Sequence, residues 1–253
     1  MEENLPLCGV MRIISTIQEK RIKQYPLSIK FIVKNIFGEI DEEQIIYADS
    51  AWINSKPSFY IEYNKVKQYV MTLNYHFTSI YQIDRELFIK YLEDNDISKT
   101  TIETLEMYLY GELSTFTLTE EDEHYYMNRS ILLPRIEIAN KELNSRKEFV
   151  INTLRYSLLD GYEKGLIGAD FIYTGDKHHS YLISRSHILR YIEENEWKNN
   201  EYIHIGPLFI KPMMRKWFFP LKNERYYSTI ELCWPSFQRD IDEMTKKNKR
   251  RRL

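Results

Sequence analysis

Ile45-Ile46-Tyr47-Ala48-Asp49 and, just past Pro57, Ser58-Phe59-Tyr60-Ile61-Glu62-Tyr63 form the stretch whose reading decides the fold. Both are short β-branched and aromatic runs, and proline punctuates the turn before the second, so they read as two strands. Upstream, residues 9–22 and 26–37 read as a short helix or pair of helices. Downstream the apolar spacing changes to threes and fours, which predicts helices over 65–82, 84–94 and 98–110. Asp84 and Ser98 are the expected N-caps, and Gly111 ends the third helix. A further amphipathic helix is expected from Asn144 to Glu163, with Phe149, Leu154, Leu158 and Tyr162 near one stripe.

The last third changes character. Residues 165–173 suggest a helix end leading into a strand, and 178–195 contain a helix whose apolar side includes Ile183, Ile188 and Ile192. Tyr202 to Ile210 and Tyr226 to Trp234 read as strands. Strands, then helices, then strands favour an α+β fold, a mixed β-sheet core flanked by helices, over regular α/β alternation. No internal repeat or Ser/Gly/Pro linker marks a boundary, so residues 1–243 are expected to form one globular domain or two packed lobes.

Composition narrows the class. The 253 residues are 43% hydrophobic and 28% charged, with eight glycines and eight prolines, a profile that excludes a disordered or fibrous chain. No apolar run approaches the length of a membrane span, and the N-terminus is too polar and acidic for a signal peptide, so a cytoplasmic protein is expected. Cys8 and Cys233 stand far apart without Cys or His companions, which argues against a disulfide framework and against structural zinc. Net charge is −2, yet Lys246, Lys247, Lys249, Arg250, Arg251 and Arg252 fall within the last eight residues. The chain thus reads as an acidic body with a basic tail over 244–253, suited to a phosphate backbone or simply solvated.

Period-two alternation predicts Glu62 and Asn64 on one face of the second strand, and pairing with the first strand would bring Asp49 beside them. Hard oxygen ligands of this kind suit Mg²⁺, with Asp49 and Glu62 as the ligands and Asn64 as an auxiliary oxygen. Lys65 or Lys67 would orient an attacking water. The bland alternative is a pair of solvated carboxylates at a sheet edge. A second constellation, Lys211-Pro-Met-Met-Arg215-Lys216-Trp217-Phe-Phe-Pro-Leu-Lys222-Asn-Glu-Arg225, interleaves cations with aromatics. That pattern suits DNA, although its rings would serve equally well in a core. His178, His179, His187 and His204 lack metal-ligand spacing and read as polar surface residues.

Asp49, the twelve-residue gap and Glu62-Tyr63-Asn64 resemble the PD-(D/E)xK nuclease superfamily, in particular its small type II restriction endonucleases. The likeness extends diffusely over residues 59–232 through Tyr108-Gly111-Glu112-Leu113, Gly168-Ala-Asp170-Phe, Arg185 to Ile192 and Ile205 to Lys211. It implies a restriction-endonuclease-like fold, Mg²⁺, double-stranded DNA as partner and site-specific phosphodiester hydrolysis. Asn64 stands where the family has lysine, and Pro212-Met213-Met214-Arg215-Lys216 replaces its Gly-rich basic signature. Two other readings stay open: a non-catalytic nucleic-acid-binding protein, and a phage or viral host-interaction protein. The usual signatures of NTPases, dinucleotide enzymes, zinc proteases and α/β-hydrolases are absent.

Overall fold

The computed structural model describes residues 19–51, 57–74, 79–110, 129–163, 165–175, 180–198, 202–212 and 229–251. The fold is α+β, and the chain divides into two compact units: residues 1–77, 155–191 and 237–253 form the first, and 78–154 and 192–236 the second. Among the described residues no helix is long and apolar enough to cross a membrane.

The first unit holds a mixed sheet of six described strands in the order β1-β2-β3-β4-β6-β7. These are β1 (Glu19–Arg21), β2 (Ile45–Ser50), β3 (Phe59–Tyr63), β4 (Val66–Asn74), β6 (Phe171–Gly175) and β7 (Ser180–Ser184). All neighbours are antiparallel except β4 and β6, which run parallel. Helix α1 (Leu27–Phe37) covers one face. Its Ile29, Ile32 and Val33 pack with Ile22 and Tyr25 onto Ile46, Ala48, Phe59, Ile61, Val70 and Tyr173. Each such fully buried aliphatic or Phe side chain contributes about 1.5–3 kcal/mol. Gly38 then stops α1 at φ 83°, a left-handed conformation that glycine adopts without strain. The described helix α7 (Phe237–Arg251) also belongs here, so much of the expected basic tail is helical.

The second unit has an antiparallel sheet in the order β5-β10-β9-β8: β5 (Ser79–Asp84), β8 (His204–Ile205), β9 (Leu208–Pro212) and β10 (Thr229–Cys233). Helices α2 (Arg85–Asp94), α3 (Lys99–Tyr110), α4 (Arg129–Ser145) and α5 (Lys147–Leu154) accompany it. Helix α5 continues into a π-helical turn, Arg155–Asp160, where the chain returns to the first unit. Helix α6 (Arg185–Glu194) spans the next change of unit.

Three expectations need correction. Where a helix was expected over 65–82, the described residues form β4 and β5, because a two-residue turn after Tyr63 sends the chain straight back as a strand. The helix expected from Asn144 to Glu163 breaks at Arg146, and most of α4, with Pro134 inside it, lies before that span. Residues 202–210 make a hairpin, β8 and β9, rather than one strand, since Gly206-Pro207 turns the chain. The expected N-cap at Asp84 is present, its carboxylate accepting from the Glu86 and Leu87 amides. Of the helix expected at 9–22, only residues 19–22 lie among the described ones, and Glu19–Arg21 are strand.

Candidate functional site

Strand register places the acidic residues. Asp49 of β2 lies opposite Tyr60 of β3, Tyr47 lies opposite Glu62, and Tyr60 and Glu62 lie in turn opposite Tyr69 and Lys67 of β4. Cross-strand partners share a face and alternate residues oppose it. Ile46, Ala48, Phe59, Ile61 and Val70 therefore face α1, while Tyr47, Asp49, Tyr60, Glu62, Lys67 and Tyr69 project from the other side.

On that side the groups interlock. Tyr47 donates its hydroxyl to Asp49 Oδ2 at 3.3 Å, and the Ser50 amide donates to Oδ1 at 2.7 Å. Lys67 Nζ lies 3.7 Å from Glu62 Oε2 and 4.0 Å from the centroid of the Tyr60 ring. The rings of Tyr47 and Tyr69 flank that of Tyr60, each with its centroid 5.8 Å away. Burial raises the Tyr60 phenol above its ordinary value, and its hydrogen bond with Tyr47 and the charges of Asp49 and Glu62 raise it further. Tyr60 is consequently a neutral hydroxyl at any physiological pH, close to both carboxylates.

Asn64 and Lys65 are elsewhere. They are the central residues of the β3–β4 hairpin, at φ 50° and 65°, and both are exposed. Positive φ at both positions is what a tight two-residue hairpin turn demands, and asparagine tolerates it better than most residues. The strand alternation therefore ends at Tyr63 and does not carry Asn64 onto the face of Glu62. Lys67, not Lys65, returns to that face.

Asp49 and Glu62 are hard oxygen donors of the kind Mg²⁺ takes, with water and phosphate filling its remaining positions. Among the described residues no group of three or more His, Cys, Asp or Glu is placed to hold a metal. In the basic stretch, Lys211 lies on β9 with Nζ 3.2 Å from Glu231 Oε2 of β10. Arg215, Lys216, Lys222 and Arg225 lie outside the described residues, as do Gly111, His178 and His179.

Sequence reasoning missed two polar arrangements. In the first unit, Arg185 grips Asp160 with both guanidinium nitrogens, 2.5 and 2.7 Å from Oδ1 and Oδ2, and Arg155 Nε adds a contact at 3.1 Å. A Cβ at Gly168 would lie 2.2 Å from Asp160 Oδ1, so only glycine fits there. In the second unit, Asn140 and Asn144, one turn apart on α4, serve the outer edge of β8. Asn140 donates to the Tyr202 carbonyl and accepts from the His204 amide, at 2.8 and 3.0 Å. Asn144 donates to the His204 carbonyl and accepts from the Gly206 amide, at 2.9 and 2.7 Å. Four helical residues rise about 6 Å, close to the advance of about 6.6 Å over two strand residues, which is why the spacing works. Comparison with models of known protein families and with curated protein sequences finds no match to this chain.

Proposed function

We propose that this chain hydrolyses phosphodiester bonds of double-stranded DNA with Mg²⁺, in the manner of the restriction endonucleases it resembles. The observation that carries the reading is the projection of Asp49, Glu62 and Lys67 from one face of three neighbouring strands. Two acids and a lysine on adjacent strands are what the resemblance requires, and Lys67 fills from β4 the place that Asn64 leaves open. Asp49 and Glu62 would hold the ion. When bound, Mg²⁺ supplies a more acidic water and stabilises charge building on the phosphate.

The chain's own groups have distinct tasks. Tyr47 orients the Asp49 carboxylate through its hydroxyl. Lys67 releases Glu62 and offers its ammonium to the phosphate or to the attacking water. Tyr60, neutral and beside both acids, donates a hydrogen bond without adding charge. Lys211, Arg215, Lys216, Lys222 and Arg225 would contact the DNA backbone.

A second reading, binding of nucleic acid without catalysis, draws on the Glu62–Lys67 pair, which already neutralises both members. One experiment separates the two. The protein is incubated with unmethylated plasmid or phage DNA in Mg²⁺ or EDTA, beside Glu62→Gln and Lys67→Met variants. Cleavage is expected in Mg²⁺ alone, with each variant slowed about 100-fold or more, the scale of a lost proton-transfer or charge-stabilising group. Intact DNA from a folded wild-type protein would refute the catalytic reading.

A further inference from the structure

The second unit contains a cavity of about 600 Å³ that neither the acidic face nor the basic stretch uses. Its floor is the turn between β8 and β9, held by Asn140 and Asn144 and by His204 Nδ1, which donates to the Gly206 carbonyl at 2.9 Å. Val150 and Ile192 supply apolar surface, and Trp197 forms a half-buried aromatic wall. Lys141, Lys147 and Lys198 reach its rim from α4, α5 and the segment after α6, against Glu137 and Glu196.

Backbone geometry and side-chain hydrogen bonds fix the floor. Gly206 sits at φ +56°, and a Cβ there would come within 2.6 Å of Val150 Cγ1. The edge groups of β8 are held by amide side chains of α4, which fixes the polar base of the cavity. Preformed concave sites of roughly 300–1,000 Å³, mostly apolar with a few placed polar groups, are where small molecules bind. Lysines from three separate segments line the cavity, Lys147 with its Nζ also donating to the Glu193 carbonyl at 3.0 Å, and with an indole on one side they define the complement: a planar ring joined to an anionic group.

We propose that this cavity binds a mononucleotide, its base against Trp197 and its phosphate among Lys141, Lys147 and Lys198. The site lies wholly within the second unit and does not depend on the nuclease reading.

The test is calorimetric titration of the full chain with AMP, adenosine and inorganic phosphate. AMP is expected to saturate one site, with adenosine and phosphate each at least tenfold weaker. Lys141→Ala and Lys198→Ala should weaken AMP severalfold, Glu196→Gln should tighten it, and Lys34→Ala, on α1 in the other unit, should leave it unchanged. These substitutions are on exposed side chains, so folding is not at stake. Absence of binding up to about 10 mM AMP, where even a millimolar Kd would be saturated, would overturn the proposal. So would a Glu196→Gln effect of the same sign as Lys141→Ala, because an anionic ligand requires opposite signs.

Discussion

Replacing Asn144 by leucine tests whether the asparagine pair on α4 holds the edge of β8. Leucine keeps the branching and heavy-atom count of asparagine and has a better helix propensity, so helix formation is preserved, while its methyls are bulkier than the amide groups they replace. What is lost is the donor to the His204 carbonyl and the acceptor for the Gly206 amide. His204 is only 2% exposed, so water cannot easily replace the partner. An orphaned buried group costs about 1–3 kcal/mol, and two of them give an expected loss of about 2–6 kcal/mol. For Asn140→Leu the expected loss is smaller, about 1–3 kcal/mol. The Tyr202 carbonyl it abandons belongs to an exposed residue and can rehydrate, leaving mainly the His204 amide. Urea denaturation followed by tryptophan fluorescence measures both losses. Hydrogen exchange locates them, since the Gly206 amide should lose protection in Asn144→Leu and the His204 amide in Asn140→Leu. Unchanged exchange at these amides, or an Asn144→Leu loss below about 0.5 kcal/mol, the range of ordinary surface substitutions, would refute the reasoning.

Four further outcomes are expected. Gly206→Ala should cost about 2–4 kcal/mol in chemical denaturation, from strained backbone and the close approach of Val150, and Val150→Ala in the same chain should recover the steric part. Lys65→Gly should stabilise the protein by a few tenths of a kcal/mol, because φ 65° suits glycine, partly offset by the freer unfolded chain; if DNA cleavage is found, it should survive this change and be lost in Lys67→Met. Asp160→Asn should cost about 1.5–3 kcal/mol by thermal melting, since it leaves Arg155 and Arg185 sharing a neutral partner. Burial opposes ionisation of Glu142, but hydrogen bonds from Ser98 and Thr101 outweigh it and hold the carboxyl below its ordinary value. The folded pKa is therefore the lower one. The associated stability is present above the unfolded pKa, is lost as pH falls through the folded pKa, and should vanish from the acid limb of a stability-versus-pH curve in Glu142→Gln.

What the sequence made legible follows from how local each signal is. Helix α2 was readable because Asp84 caps it and its apolar residues keep one stripe. Strand β4 was not. Both of its faces carry apolar residues, Val70 toward α1 and Met71 and Leu73 on the other side, so the polar alternation that marks a strand is missing. The turn before it, Asn64-Lys65, lacks the glycine that usually advertises a hairpin. Period two put Glu62 and Asn64 on one face, and pairing with β2 was expected to bring Asp49 beside them; Asp49 and Glu62 do share a face, but Asn64 leaves it for the turn. The pairing of Tyr60 with Tyr69 and the return of Lys67 were not legible, because they depend on a register that the length of this turn sets. The asparagine clamp on β8 joins residues 60–64 apart in the chain, with no local trace of the pairing.

The chain leaves each unit before finishing it, and this shapes how the protein is made. Strand β4 emerges from the ribosome early, but its parallel neighbour β6 follows only after about a hundred further residues, as the bond from the Tyr69 amide to Asp170 records. Strand β5 waits longer still for β10. During that interval Val70, Met71, Ile80 and Ile83, all buried in the finished fold, belong to strands with an unpaired side. Such delays lengthen folding and leave sticky edges exposed. A nascent chain halted before residue 229 would hold the described strands of the first sheet but would lack helix α7 of that unit and strand β10 of the other, so neither unit would be complete and quality control during synthesis would meet this protein as one late event rather than as two successive domains.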